Sequence, residues 1–547
     1  MTKTLILTDK AQEYNRRSKW QTIVWVLVGA GVGLRLFHFL DNRSFWVDEI
    51  YLASSLVRMN FLELMAPALD YQQKAPIGFL WLVKLCVLAF GKSEMALRVV
   101  PLLSGIAALF LFVPVCRALL KPIGVVVAVG VLAFAPPLVY HAVEMKQYST
   151  ELLATIVALY LYNRYHQLQN IKAVLSWGFW GALIIWFSYA SIFILAGMAG
   201  GIGIYYLRQK NWPGLLRIII TGTIWLLSFT LNFFMFTNKY ADSEWLVIWF
   251  QNEGGFMPLP PTSLADLEWF GSTLYKMFFY PLGILWQVSH LQNPVLHFLA
   301  RLPVLPLLFL GTGLFTVYRR NQKLFWVLVL PLFLTLLASG LKIYPFYERL
   351  VVFLAPLFIL FIAAGAAYLA SRLPARAEFR YILPVLLLII PVVSSIAQVI
   401  NPHLFGGYKK AYHREVFLYV NDHLQPGDVV YIYWNAQHTY KFYKDTYGLK
   451  FDAIEGRDVR YQSNSTEAYF RNLEPDFKAL AGKKRVWVIY NTYYASKIGE
   501  IVGTPAYYYA DLVDGKKLHD KFLTMGKEVL TYNALDVKLS LFDFSAK

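Results

Sequence analysis

Five short segments of this chain carry side chains suited to chemistry. DNRSFWVDEIYLASS (41–55) holds two adjacent carboxylates, Asp48 and Glu49, flanked by Trp46 and Tyr51. YQQKAPIGFLW (71–81) places Lys74 before Pro76, and SEMALRVVPLLSG (93–105) places Arg98 before Pro101. FAPPLVYHAVEMKQYSTE (134–151) crowds Glu144, Lys146 and Tyr148 together, and KIYPFYERLVVFLAP (342–356) sets Tyr347, Glu348 and Arg349 ahead of an apolar run. Lysine can meet a phosphate as a point charge, and arginine can grip one bidentately. A carboxylate at a membrane edge marks a substrate path or pairs with a cation. Each segment also has a plainer reading. The acidic pair could cap a helix over Ile50–Arg58, Lys74 could snorkel to a headgroup, and Glu144 could merely pair with Lys146.

The elements that position these residues are membrane helices. Of 547 residues, 57% are hydrophobic, 17% aromatic and only 16% charged, against about 25% charged in soluble domains. A water-soluble enzyme is excluded on that ground. The net charge of +17 would point to nucleic acid in a soluble protein. Here it fits basic loops beside anionic lipid, and no nucleic-acid partner is expected. Cys86 and Cys116 lie in apolar stretches with no metal-like spacing, so neither a disulfide framework nor a zinc site is indicated.

Runs long enough to cross a bilayer lie near 21–40, 98–117, 123–141, 149–163, 173–188, 189–207, 214–236, 296–318, 324–341, 350–371 and 381–400. They predict about eleven crossings. The run 76–91 is shorter and carries Lys84 in its middle, which suits an interfacial segment. If it lies at the interface, the loops assigned to the cytoplasm hold roughly 18 Lys and Arg in about 60 residues. The opposite loops then hold roughly 11 in about 130, the bias that the positive-inside rule requires. All five segments fall on that outer side.

Two domains follow: residues 1–400 in the membrane, with outer loops 41–97 and 237–296, and a soluble tail over 401–547. In the tail, GDVVYIYW (427–434) and KRVWVIYNT (484–492) read as buried strands. Residues 415–424 and 467–480 read as helices, and VLTYNA with VKLSLFDF as a terminal hairpin. The tail is a small α/β domain on the outer side.

As an ordered set, the five segments resemble the polytopic GT-C glycosyltransferases. The nearest branch includes the protein O-mannosyltransferases (family 39) and the transferase that adds aminoarabinose to lipid A. The resemblance rests on the acidic pair Asp48-Glu49, the K-x-P element Lys74/Pro76 and the R-x-x-P element Arg98/Pro101. Glu144, Lys146 and Tyr148 supply an E-x-(K/R)-x-Y element, and Arg349 precedes an apolar helix with Pro356. The match spans about residues 20–360. This chain has Glu144 where several relatives have aspartate, and Lys146 where many bacterial relatives have arginine.

The resemblance implies a GT-C membrane fold and inverting transfer of one sugar from a polyprenyl-phosphate carrier to an acceptor. The acceptor would be a protein, a glycolipid or a polysaccharide, at the outer face of the cytoplasmic membrane. It implies Asp48 as general base, with Glu49 and Glu144 as further catalytic carboxylates. Lys74, Arg98, Tyr347 and Arg349 would bind the donor phosphate, while Lys146, Tyr148 and Tyr51 would bind substrate. No metal or cofactor is implied. The alternative is a polytopic transporter or lipid flippase, which would carry paired repeats and charges near the bilayer midplane.

Overall fold

Apolar runs in lipid must satisfy their backbone polar groups internally, and here every such run is helical. The computed structural model describes residues 2–65, 68–238, 244–286, 292–373, 381–492 and 504–545, with side chains from residue 19 onward except those of 244 and 408. Helix α1 spans Thr2–Asp41, α2 Val47–Arg58, α3 Ile77–Phe90, α4 Glu94–Leu119, α5 Pro122–Phe134 and α6 Pro136–His141. There follow α7 Tyr148–Tyr165, α8 Ile171–Ile185, α9 Ser191–Arg208, α10 Trp212–Asn232, α11 Glu244–Asn252 and α12 Leu264–Phe279. Helices α13 Pro294–Arg301, α14 Val304–Arg320, α15 Gln322–Gly340, α16 Ala355–Arg372 and α17 Ile382–Ile400 complete the membrane domain.

Among the described residues, eight helical stretches are long and apolar enough to cross a membrane. The other three expected crossings also form helices. Helices α5 and α8 are short, and the run 123–141 breaks between α5 and α6. The break has a defined chemistry. Pro136 and Pro137 lack the N–H groups that would bond the carbonyls of Leu132 and Ala133. The buried Arg35 of α1 donates to both, at 3.0 and 3.1 Å. The stretch Glu348–Arg372, next to last before the tail, is almost wholly buried at the centre of the bundle. Helix α14 packs on it through Gly313 and Gly365, where an added Cβ would fall 1.8 Å from Phe361 O and 1.9 Å from Phe309 O. Glycine allows that backbone contact.

The run 76–91 becomes α3, whose 14 residues reach about 21 Å, too short to cross a ~30 Å core. It packs beneath α2, and its buried Lys84 donates to the carbonyl of Leu56 at 2.9 Å, within the last turn and a half of α2.

The tail forms a five-stranded mixed sheet. Strands β1 (Val429–Ile432), β2 (Ile454–Glu455), β3 (Arg485–Asn491), β4 (Lys527–Asn533) and β5 (Val537–Asp543) lie in the order β2-β1-β3-β5-β4. Strand β1 runs parallel to β2 and β3, and the β4–β5 hairpin adds antiparallel pairing. Helices α18 (His413–His423), α19 (Gln437–Tyr447), α20 (Thr466–Leu480), α21 (Ala506–Asp511) and α22 (Lys516–Met525) accompany it. The expected strands, helices and hairpin are all present, and α19, α21, α22 and β2 are additional.

The tail docks on the loop that precedes α2. Ala411 bridges to Ser44. The Tyr443 hydroxyl lies 3.1 Å from Ser44 Oγ and accepts from the Phe45 N–H at 3.0 Å. Arg414 reaches the buried Glu94 at 3.1 Å and the Asn42 carbonyl at 2.7 Å.

Candidate functional site

The turn Arg43–Trp46 delivers two carboxylates to different surroundings, because Asp48 and Glu49 occupy successive positions in the first turn of α2. Glu49 is fully buried. It accepts from Arg43 Nη1 at 2.6 Å, Arg98 Nε at 3.1 Å, Arg98 Nη2 at 3.0 Å and the Met145 N–H at 2.8 Å. Burial opposes its charge, but Arg43 and Arg98 hold its carboxyl below the usual range. Arg98 also donates to the Arg43 carbonyl at 2.6 Å. Glu49 and Arg98 thus lock α2, α4 and the turn after α6 into one frame.

Asp48 points elsewhere. Its Oδ2 lies 2.8 Å from Arg349 Nη2. Its Oδ1 is buried and has no hydrogen-bond partner among the described residues. Arg349 stands at the start of a 3₁₀ turn, Glu348–Leu354, that leads into α16. Its guanidinium lies 5.4 Å from the centre of the Trp46 ring.

Glu144 is fully buried in the short turn between α6 and α7. It accepts from Trp46 Nε1 at 3.1 Å and lies 2.7 Å from His141 Nδ1. The other His141 nitrogen meets the Tyr280 hydroxyl. Burial would raise the Glu144 carboxyl, but Lys409, His141 and Arg349 hold it far below the ordinary value. Lys409, from the segment linking α17 to the tail, is buried against the rings of Trp46, Tyr140 and Tyr280 at 5.5, 4.9 and 5.5 Å. Lys146 donates to Gln73 Oε1 at 2.5 Å, beside Lys74 in the chain. Burial lowers the affinity of Lys146 and Lys409 for their protons, against the pull of Asp48 and Glu144.

The structure therefore gathers Asp48, Glu49, Arg98, Glu144, Lys146 and Arg349 into one cluster. Tyr148 is buried at its edge, with its ring 5.0 Å from His141. Two expected residues join other groups. Tyr51 stacks on Tyr71 at 4.2 Å, and its ring meets that of His438 of the tail at a tilt, 4.9 Å away. Tyr347 sits in an aromatic nest, 5.8 Å from both Trp249 and Phe250.

Sequence reasoning missed Arg43, Trp46, His141, Tyr280 and Lys409. Only Arg43 and Trp46 carried a local signal, by flanking the acidic pair. Counting Arg43, Arg98, Lys146, Arg349 and Lys409 against Asp48, Glu49, Glu144 and the Glu348 that acts on Lys409, five cations face four carboxylates. A positive balance of this kind suits a bound phosphate. Among the described residues, no group of three or more His, Cys, Asp or Glu is placed to hold a metal ion.

A family model described as dolichyl-phosphate-mannose-protein mannosyltransferase matches residues 74–238. No curated protein sequence matches the chain. The fold is that of ArnT from Cupriavidus metallidurans bound to undecaprenyl phosphate, at 13% identity and TM-score 0.53, covering 95% of this chain and 97% of that one. The apo form of the same enzyme aligns at 14% identity, covering 98% and 99% of the two chains, with TM-score 0.49. The Archaeoglobus fulgidus oligosaccharyltransferase in complex with Zn and sulfate aligns at 13% identity over 85% of this chain and 67% of that one, with TM-score 0.46.

Proposed function

We propose that this chain is a multi-pass GT-C glycosyltransferase that transfers a sugar from a polyprenyl-phosphate carrier to an acceptor hydroxyl with inversion, a reading supported by the family-model match over residues 74–238 and the shared fold. The acceptor is a protein, a glycolipid or a polysaccharide, and the reaction takes place at the outer face of the cytoplasmic membrane. The observation that carries this reading is the Asp48–Arg349 pair. One carboxylate oxygen is held by a cation at 2.8 Å, and the other is buried without a partner.

In a single displacement the Asp48 Oδ1 takes the proton as the acceptor oxygen bonds to the anomeric carbon. The bond from that carbon to the phosphate oxygen breaks, and the electron pair leaves on the lipid phosphate. That leaving group needs positive charge instead of a proton. Arg349 supplies it, with Lys74 and Lys146 on the adjoining loops. Glu49 and Arg98 act as positioning residues, because their polar atoms are spent on each other and on the backbone. Glu144 and His141 hold Trp46 and Lys409 in place around Asp48.

Asp48→Asn tests the reading in purified membranes with a labelled polyprenyl-phosphate-linked sugar. Transfer is expected to vanish while the variant accumulates and unfolds like the parent. Normal turnover by a folded Asp48→Asn protein would overturn the assignment.

A further inference from the structure

The end of the membrane domain remote from the candidate site contains a second concavity. Helix α4 carries Arg98 in its second turn and ends at Leu119; its 26 residues span about 39 Å. The 3₁₀ turn bearing Arg349 likewise leads through α16 to Arg372 at the far end. Between the end of α4, the α14–α15 connection and the end of α16 lies a cavity of about 990 Å³.

Three separate chain segments supply cations to its wall: Lys121, Arg319 with Arg320, and Arg372. No described carboxylate lines it, so the positive charge is not neutralised from within. The Arg372 guanidinium rests 5.2 Å from the Tyr368 ring centre, which helps hold it at the cavity wall. Leu119 and Phe315 give the same wall an apolar side. Phe315 is 54% exposed.

We propose that this cavity is a binding site for an anionic phospholipid whose headgroup carries two phosphodiesters. Four cations exceed what one phosphate needs and match two. The apolar side provides a seat for acyl chains where the cavity meets the bilayer. Basic pockets between helix ends are the kind of place where such headgroups bind. The site is remote from the Asp48–Arg349 pair and distinct from any position where a sugar donor would react.

The test uses the full-length protein purified in detergent and native mass spectrometry. The probes are a diphosphatidylglycerol, a phosphatidylglycerol and a phosphatidylethanolamine at equal concentration, with inorganic pyrophosphate as a soluble competitor. The diphosphatidyl lipid is expected to be retained over the zwitterionic one, and about tenfold or more weakly in Arg320→Gln/Arg372→Gln. Ala118→Trp narrows the cavity without touching its charges, and is expected to weaken retention even if the double variant fails to accumulate. Equal retention by parent and Ala118→Trp, or equal retention of anionic and zwitterionic lipids, would overturn the proposal. Pyrophosphate binding without lipid retention would overturn it as well, since the occupant would then be a soluble anion.

Discussion

Glu49 and Arg98 meet fork to fork, Nε to Oε1 at 3.1 Å and Nη2 to Oε2 at 3.0 Å, with both side chains out of solvent. The pair joins α2 to α4, and Arg43 closes on the same carboxylate. Removing one partner of such a pair leaves the other charge buried, at a cost of about 3–5 kcal/mol. Glu49→Ala is therefore expected to lower the thermal unfolding midpoint sharply in detergent, whereas Asp48→Asn leaves it near that of the parent. Matching midpoints for Glu49→Ala and the parent would remove its structural role.

Arg349 differs from Arg98 in facing a carboxylate that has an unpaired oxygen. Lysine cannot reproduce its forked geometry. Arg349→Lys is expected to lower kcat/KM for the lipid-linked donor by about a hundredfold, with a folded protein. Steady-state turnover against donor concentration measures it.

Activity should fall at alkaline pH earlier than an ordinary lysine would dictate. Burial depresses the pKa of both Lys146 and Lys409 below the usual value of about 10.4. As pH rises through those depressed values, the positive charge facing Asp48 and Glu144 is lost, and donor phosphate binds less well. Lys409→Arg keeps its charge throughout and should move the alkaline limb upward. An unmoved limb would show that Lys409 does not set it.

The tail has its own pH dependence. Buried His413 lies 2.9 Å from Asp536 through Nδ1 and 2.7 Å from Asn491 Oδ1 through Nε2. The Asn491 amide nitrogen is committed to the Asn435 carbonyl at 2.7 Å, so both ring nitrogens face acceptors. Burial works against the imidazolium, yet Asp536 and Asn491 raise its pKa above the ordinary value. A raised folded-state pKa gives stability that is complete below the unfolded value of about 6.5 and is lost as pH climbs through the folded one. Thermal unfolding of the parent should show that loss, and Asp536→Asn should flatten it.

Truncation at residue 401 is expected to abolish donor turnover, since it removes Lys409 from beside Glu144 and Tyr443 from beside Phe45. A stable truncate that still transfers sugar would show that the tail only presents acceptor.

The five chemical segments were legible because each sets charged side chains at the end of an apolar run. Their grouping was not, since nothing local distinguishes Asp48 from Glu49. One helical step of about 100° turns the first toward Arg349 and the second toward Arg98. Lys409 was invisible for another reason: it looks like any basic residue after a last crossing, and only the docking of the tail brings it to Glu144. Tail strands β1 and β3 were readable as apolar runs bounded by turns. Helix α19 was missed because its buried face is built of Tyr440, Phe442 and Tyr443 among polar residues, a weak helical signal.

The contacts of Tyr443 with Ser44 and Phe45 impose an order on biosynthesis. Tyr443 follows Asp48 by 395 residues, so the loop that carries Asp48 leaves the ribosome long before the residue that braces it. Until the tail has emerged and folded, that loop lacks its support from Tyr443.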